Sequence, residues 1–323
     1  MKLSGVTERI KRLFRKETEL SRKQIVKKEN RIKDGQRFSV FKICLIVFLI
    51  LYTFSFFGMF FWAIYNSVKS PLSFEIDPWG FPKKWLWENY ATAFYEIGNV
   101  QVQSPTGNIT LGFWRMFLNS VVYALLGALW GTFLQCTAGY ATARYKYKSS
   151  KVIYVAIMTA MVLPIIGNGP SQLLFARWFG YYDNLGLYVL MTANIVSMYY
   201  LVFFATFSTM PQDYMDAAKV DGANNYSVYF RIALPMASKM FLTIALLVFV
   251  GKWNEYEGPT LFLPSHPVLA VGLINYSNSY KADVSNIPMK LAGALIVSLP
   301  MFIIFLCFRN KLMGNISMGG LKE

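Results

Sequence analysis

The chain has 323 residues, 55% of them hydrophobic and 17% aromatic, and carries 32 Lys and Arg against 17 Asp and Glu for a net charge of +15. Only 15% of its residues are charged, against about 25% in a soluble globular domain, while 27 Phe, 20 Tyr and 8 Trp exclude a disordered chain. Three Cys (Cys44, Cys136, Cys307) and one His (His266) are too few for a structural zinc site, so no metal is expected; all three Cys lie in apolar runs and are expected to pack in the core as small hydrophobes.

Residues 1–42 hold 14 Lys and Arg and five acids, and nothing in them reads as a packed core. Residues 43–68 come next, without a charge from Ile43 to Val68. That run is longer than the 7–15 apolar residues of a signal peptide and exceeds the ~30 Å hydrocarbon core, so it predicts a retained transmembrane helix. A polybasic segment directly before a membrane helix is drawn to anionic lipid, which makes a lipid surface its expected partner and excludes nucleic acid.

Residues 69–112 form an extracellular segment with Trp79, Trp85, Trp87, Tyr90 and Phe94, an aromatic set that marks a membrane interface. Within it, Gly98 to Gly112 is rich in Asn, Gln, Ser, Thr and Gly and reads as an exposed turn or hairpin. Residues 113–310 supply five more expected spans. Met116 to Thr142, Asn184 to Gln212 and Leu291 to Phe308 are uncharged and long enough to cross. Val152 to Ala176 is interrupted by Pro164, Gly167, Gly169 and Pro170, which predicts a kink near Leu163. Pro235 to Phe262 is the weakest, broken by Lys252, Glu255 and Glu257. A Gly127–Gly131 pair in the second span predicts close helix packing. Residues 311–323 are a tail. The expected fold is thus an all-α membrane protein with six transmembrane helices. Lys and Arg favour the cytoplasmic side of short loops, and placing both termini there puts 24 basic residues inside and 8 outside.

Residues 211–235 are the most specific stretch. A short helix is predicted to start near Pro211 and Gln212, with Asp213 and Asp216 at its positive end and Gly222 ending it. Ala217 and Ala218 would let that helix seat closely in another surface. A second amphipathic stretch with Tyr226, Val228, Tyr229 and Ile232 leads to Pro235, a first-turn residue for the fifth span.

The series Asp216-Ala217-Ala218, Gly222, Ile232, Leu234, Pro235 resembles the EAA loop of binding-protein-dependent ABC importer permeases, with Asp in place of the usual Glu. Pro211 and Val220-Asp221-Gly222-Ala223 make it similar to the carbohydrate-uptake branch represented by the MalG subunit of the maltose transporter. Asn89-Tyr90, Asn119-Ser120, Trp253-Asn254 and Gly319-Gly320-Leu321-Lys322 extend the likeness over about residues 72 to 323. The resemblance implies a type I ABC importer permease fold in a bacterial cell membrane, with residues 113–310 as the permease core. It implies that Asp216, Ala217, Ala218, Gly222, Ile232, Leu234 and Pro235 couple to an ATPase dimer, with Gly319 to Glu323 touching that ATPase. A second homologous permease and an extracellular solute-binding protein are the other implied partners. The loop that would reach the binding protein carries Asn275, Tyr276 and Asn278.

The chain has no Gly-x-x-x-x-Gly-Lys-Ser/Thr loop, so it binds no ATP by that means; ATP and Mg would belong to the partner. No Ser, His, Asp set is present, so no catalytic residue is assigned, and His266 is expected at a surface. Polar groups beside aromatic rings at Trp253, Asn254 and Glu255 suit a sugar pathway, although the same residues could simply sit at the membrane surface with Lys252 snorkelling. The expected function is therefore uptake of a carbohydrate, an oligosaccharide in particular; the alternative is a polytopic membrane enzyme acting on a glycolipid or other lipid-linked substrate, with Glu255 and Glu257 as its acids.

Overall fold

A computed structural model describes residues 40–104, 107–145, 148–163 and 167–316. The basic segment as far as residue 39, Pro164 and the tail from Gly319 to Glu323 lie outside the described residues. The chain divides into two units, residues 1–63 and 64–323.

Helix α1 (Val40–Ser67) is the first expected span; its 28 residues extend about 42 Å at 1.5 Å each, more than a hydrocarbon core requires. None of its most apolar window is buried, which suits a helix whose solvent is lipid. Cys44 is exposed on it, and Cys307 is exposed on the last helix, so of the three Cys only Cys136 packs in a core. A side chain on the outer face of an apolar helix needs no core when the surrounding medium is itself apolar.

Past α1 the chain folds over its own end. Two short helices, α2 (Pro71–Ile76) and α3 (Glu88–Gly98), flank a strap of irregular backbone. Buried Lys69 donates to the Asp77 carbonyl at 2.8 Å, and Asn89 Nδ2 donates to the carbonyls of Ser67 (2.8 Å) and Lys69 (3.0 Å). Burial lowers the pKa of the Lys69 ammonium, partly opposed by the Asp77 charge. The Asp77 carboxyl is itself lowered, first by accepting from the Gly80 N–H.

The all-α expectation gives way at one place. Strands β1 (Val100–Ser104) and β2 (Gly107–Leu111) form an antiparallel hairpin with Val100 opposite Leu111 and Gln101 opposite Thr110. The β-branched, alternating sequence satisfies its own backbone pairs without a helix.

Helix α4 (Phe113–Arg144) organises the remainder of the unit. Its buried residues recur every three or four positions, from Met116 through Ser120, Tyr123, Ala124, Gly127, Ala128, Gly131, Cys136 and Tyr140, while Leu118, Val122, Leu125, Leu126 and Leu129 stay exposed. The buried stripe enters all three apolar clusters of the unit. Its closest approach is not at the expected glycines. A Cβ on Gly131 would meet nothing within 4 Å, and one on Gly127 would touch only the Lys252 stem at 3.5 Å. At Gly139, a Cβ would come within 2.7 Å of the Phe203 Cβ and 3.0 Å of the Phe204 backbone nitrogen, so the absence of a side chain there lets two helix backbones meet.

Around α4 lie α5 (Lys148–Val162), α6 (Gly169–Trp178), α7 (Leu185–Met191) and α8 (Met198–Thr209). The third expected span is interrupted between α5 and α6, where its Pro and Gly residues lie. The fourth, expected as one helix, is also broken. Residues 192–197 leave the helix because Asn194 turns its Oδ1 onto the Val196 N–H at 2.8 Å, a local bond that competes with the helical ladder. The freed groups find partners on α4: Gln135 donates to the Asn194 carbonyl (2.8 Å) and Trp130 to the Leu190 carbonyl (3.2 Å).

The loop after α8 contains α9 (Asp213–Val220), α10 (Asn225–Val228), a π turn at Tyr229–Ala233 and α11 (Leu234–Met236). Helices α12 (Ser238–Asn254), α13 (Glu257–Phe262), α14 (Leu269–Ser277) and α15 (Ile287–Ile316) complete the unit. Pro235 therefore sits before the fifth span rather than in its first turn. The segment Asn225–Met236 meets α12 at a 74° bend, because proline cannot donate to the ladder and a wide π turn precedes it. Among the described residues three helices are long and apolar enough to cross a membrane (Val40–Ser67, Phe113–Arg144 and Ile287–Phe308), or four with the bent pair counted as one span.

Overpacking the tight crossing should be felt. Gly139→Val should cost about 1–3 kcal/mol, read as a lower melting temperature in detergent, whereas Gly131→Ala should leave it unchanged.

Candidate functional site

Two clusters stand out along α4, one at its Arg144 end and one beside Tyr123, 21 residues earlier. At the Arg144 end, α9 is anchored by Met215, which is 2% exposed and shares a cluster with Tyr140 of α4 and Phe207 of α8. One anchored position leaves the rest of a short helix outward: Tyr214, Asp216, Ala217 and Val220 are exposed and Ala218 is half-buried. Asp213 and Asp216 lie in the first turn, favourable at the positive end of the helix. Gln212 donates to Asp216 Oδ1 at 3.1 Å, so this carboxylate is held against its own helix.

Gly222 ends α9 with a φ of +83°, a left-handed conformation that lets Ala223 N–H reach back to the Ala218 carbonyl at 2.9 Å. Asn224 then caps α10, accepting from the Ser227 N–H at 2.8 Å. Ile232 and Leu234 are half-buried, Pro235 is exposed, and the Tyr229 hydroxyl meets Thr137 of α4 at 2.8 Å. The loop is thus a small exposed platform of defined shape, tied to α4 from behind.

At the second cluster, Glu255 takes an extended conformation and separates α12 from α13. It helps line a cavity of about 370 Å³ with Gln172, Tyr188, Asn254, Tyr256, Glu257, Gly258, Leu261 and Phe262. That lies within the ~300–1,000 Å³ range of small-molecule sites. Lys252 donates to Glu255 at 2.8 Å and to the Tyr123 hydroxyl at 3.3 Å, with its ammonium 5.3 Å from the Tyr123 ring centre. Tyr123 stacks on Tyr188 at 6.2 Å, so α4 forms the back of this site. A side chain at Gly258 would overlap the Tyr188 hydroxyl and the Glu255 carboxylate. Two carboxylates, two amides and aromatic rings around one cavity can hydrogen-bond and stack against a polyhydroxylated molecule.

Trp253, expected beside Asn254 and Glu255, points the other way. Successive helical residues are ~100° apart, and Trp253 is 2% exposed, edge-on to Phe117 at 6.0 Å, with its ring N–H toward the Val297 carbonyl at 3.4 Å. Of the three residues expected in the α14 region, Asn275 and Asn278 are exposed. Tyr276 is buried, donates to the Met289 carbonyl at 2.7 Å and packs against Gly293. Tyr188 and Gln172, which line the cavity, and Tyr123, which lies behind it against Tyr188 and Lys252, carried no signal in the sequence, because they come from elements up to 132 residues away from Glu255 in the chain. His266 lies 3.5 Å from Asp183, a residue at φ +58° that also accepts from the Ser265 N–H. Among the described residues no group of His, Cys, Asp or Glu could hold a metal ion.

The family model described as binding-protein-dependent transport system inner membrane component matches residues 135–310. The diacetylchitobiose uptake system permease protein NgcG of Streptomyces coelicolor is 24% identical over 267 residues, which are 80% of this chain and 82% of that protein. The arabinooligosaccharides transport system permease protein AraQ of Bacillus subtilis is 25% identical over 301 residues, 90% of this chain and 99% of that one. In fold, the chain is similar to a chain of a bacterial ABC transporter involved in import of the acidic polysaccharide alginate, with a TM-score of 0.67 at 16% identity over 84% of this chain and 96% of that chain.

The Lys252–Glu255 pair should be energetically coupled. In a double-mutant cycle of Lys252→Met and Glu255→Gln read by thermal unfolding, each single change should destabilise and the double change should recover about 1 kcal/mol; simple additivity would remove the pair from the site.

Proposed function

The chain belongs to the family of binding-protein-dependent transport system inner membrane components, non-catalytic permease subunits of ABC transporters, and we propose that it forms half of the translocation pathway of an ATP-driven carbohydrate importer. A lipid-modifying membrane enzyme is not favoured: the family is a transport family, and Glu255 is engaged by Lys252. Oligosaccharides are the proposed cargo, in keeping with the sugars in the names of both relatives. The proposed layout has six spans, with the broken segments α5–α6 and α7–α8 as two of them and both termini in the cytoplasm.

The observation that carries the coupling role is the exposed α9 platform. Asp216, Ala217, Ala218 and Gly222 present a small-residue surface of fixed shape that a cleft in an ATPase subunit can take, with Ile232, Leu234 and Pro235 leading back to α12. ATP and Mg belong to that partner dimer. Gln212 ties the exposed Asp216 carboxylate to its own helix, which supports a seat formed by helix shape and small residues more than by a reaching carboxylate. A second permease of similar fold would complete the pathway, and a solute-binding protein would deliver the sugar near Asn275 and Asn278. Tyr276 supports that region from beneath, and Trp253 supports the cavity wall without lining it. The sugar itself would meet Asn254 and Glu255.

Two measurements test this reading. Gly222→Leu should abolish uptake and leave ATP hydrolysis uncoupled while membrane insertion persists; undiminished uptake would overturn the coupling role. Asn254→Ala should raise the sugar concentration for half-maximal uptake about tenfold, the loss of one good hydrogen bond, with the complex intact, whereas Trp253→Ala should reduce the amount of assembled complex.

A further inference from the structure

Arg144 is the last residue of α4, and its guanidinium makes two short bonds across to the start of the α9 loop. One nitrogen donates to the Met210 carbonyl at 2.6 Å and another to Gln212 Oε1 at 2.7 Å. The amide of Gln212 passes the contact on to Asp216 at 3.1 Å. The result is a continuous polar chain from the main central helix into the first turn of the exposed helix. Other contacts between the two differ in kind. Met215 packs on Tyr140 and Phe207 through apolar surface, which has no preferred direction and tolerates sliding. The Tyr229–Thr137 bond holds only the far end of the loop. A planar fork gripping two acceptors fixes both distance and angle.

On the same helix, 21 residues and about 32 Å away, Tyr123 lies behind the polar cavity and touches Lys252. No break interrupts α4 between the two, although the elements beside it are broken.

We propose that Arg144 is the positioning residue that makes α4 follow α9, so that a displacement of the platform is carried as a rigid-body movement of α4 to the Tyr123–Lys252–Glu255 wall. The proposal rests on the coupling role given to α9 above and adds the route by which it reaches the cavity. Met215 sets how deeply α9 sits; Arg144 sets which way α4 must move with it. Gln212 is the branch that includes Asp216, so its loss removes one of the two grips and leaves the Met210 carbonyl bond.

The test uses the whole importer, purified through a tag on this chain and placed in lipid nanodiscs, with Cys44, Cys136 and Cys307 replaced by Ser. Spin labels at Val220→Cys on α9 and Leu126→Cys on α4 report their separation by pulsed electron resonance, first without nucleotide and then trapped with Mg-ATP and vanadate. With Arg144 present the separation should stay constant between the two states. Arg144→Ala should retain the ATPase subunit yet let the separation change by more than about 2 Å, beyond ordinary small helix shifts, and ATP hydrolysis per sugar carried should rise about tenfold. Arg144→Lys, able to reach one acceptor, and Gln212→Ala should both fall between. If ATPase is retained and Arg144→Ala and Gln212→Ala both keep the constant separation, the strut is overturned while the importer reading stands. If the unmutated chain retains no ATPase, the importer reading fails and the strut fails with it.

Discussion

The rest of this structure depends on one constraint: a backbone N–H or C=O inside hydrocarbon has no water to bond, so any break in a helix must be answered by a neighbouring group. Helix α4 supplies several such partners to the irregular backbone around it. Gln135 and Trp130 donate to the opened carbonyls between α7 and α8, Asn119 donates to the Pro267 carbonyl at 3.1 Å, and Ser120 accepts the Leu269 N–H at 2.7 Å. Each is a polar side chain on a helix that otherwise reads as apolar, and each faces a place where the surrounding chain leaves regular structure.

That arrangement explains how the cavity and the exposed loop both keep their shape. A cavity needs concave, irregular walls, and the extended Glu255 between α12 and α13 makes one. An exposed platform needs a short helix that stops sharply, and Gly222 with Pro235 and the π turn makes the other. Neither would hold its shape beside a mobile support. The small-residue approach at Gly139 and the three clusters that α4 enters keep that support in place. Lys252 shows the same economy: its stem lies against Gly127, its ammonium meets Tyr123, and its charge is answered by Glu255 three residues on.

In the loop from Pro211 to Pro235 the short helix and its end at Gly222 were legible in the sequence, because a helix start and a terminating glycine act locally, whereas the π turn and the place of Pro235 before the fifth span were not. The breaks were only partly so. Pro and Gly announced the interruption near Leu163, but the one at residues 192–197 depends on Asn194 finding a partner on α4, and an apolar stretch with one Asn looks the same whether or not such a partner is present. The hairpin at Val100–Leu111 was readable from its polar, glycine-flanked sequence, and an all-α expectation was too coarse to hold it. Trp253 was drawn toward the cavity by its neighbours in sequence, although helical geometry alone turns it about 100° from Asn254.

By itself, then, the sequence determined that this chain lives in a membrane, where along the chain its charges lie and where a short helix is ended by a glycine, since hydropathy, charge and turn chemistry are properties of short stretches. Only the tertiary structure decided which glycine makes the tight crossing, which side chains meet at the cavity, and that Arg144 grips the platform. Those are contacts between residues 64 to 129 positions apart, and no local pattern encodes a pairing that exists only once another element packs against α4.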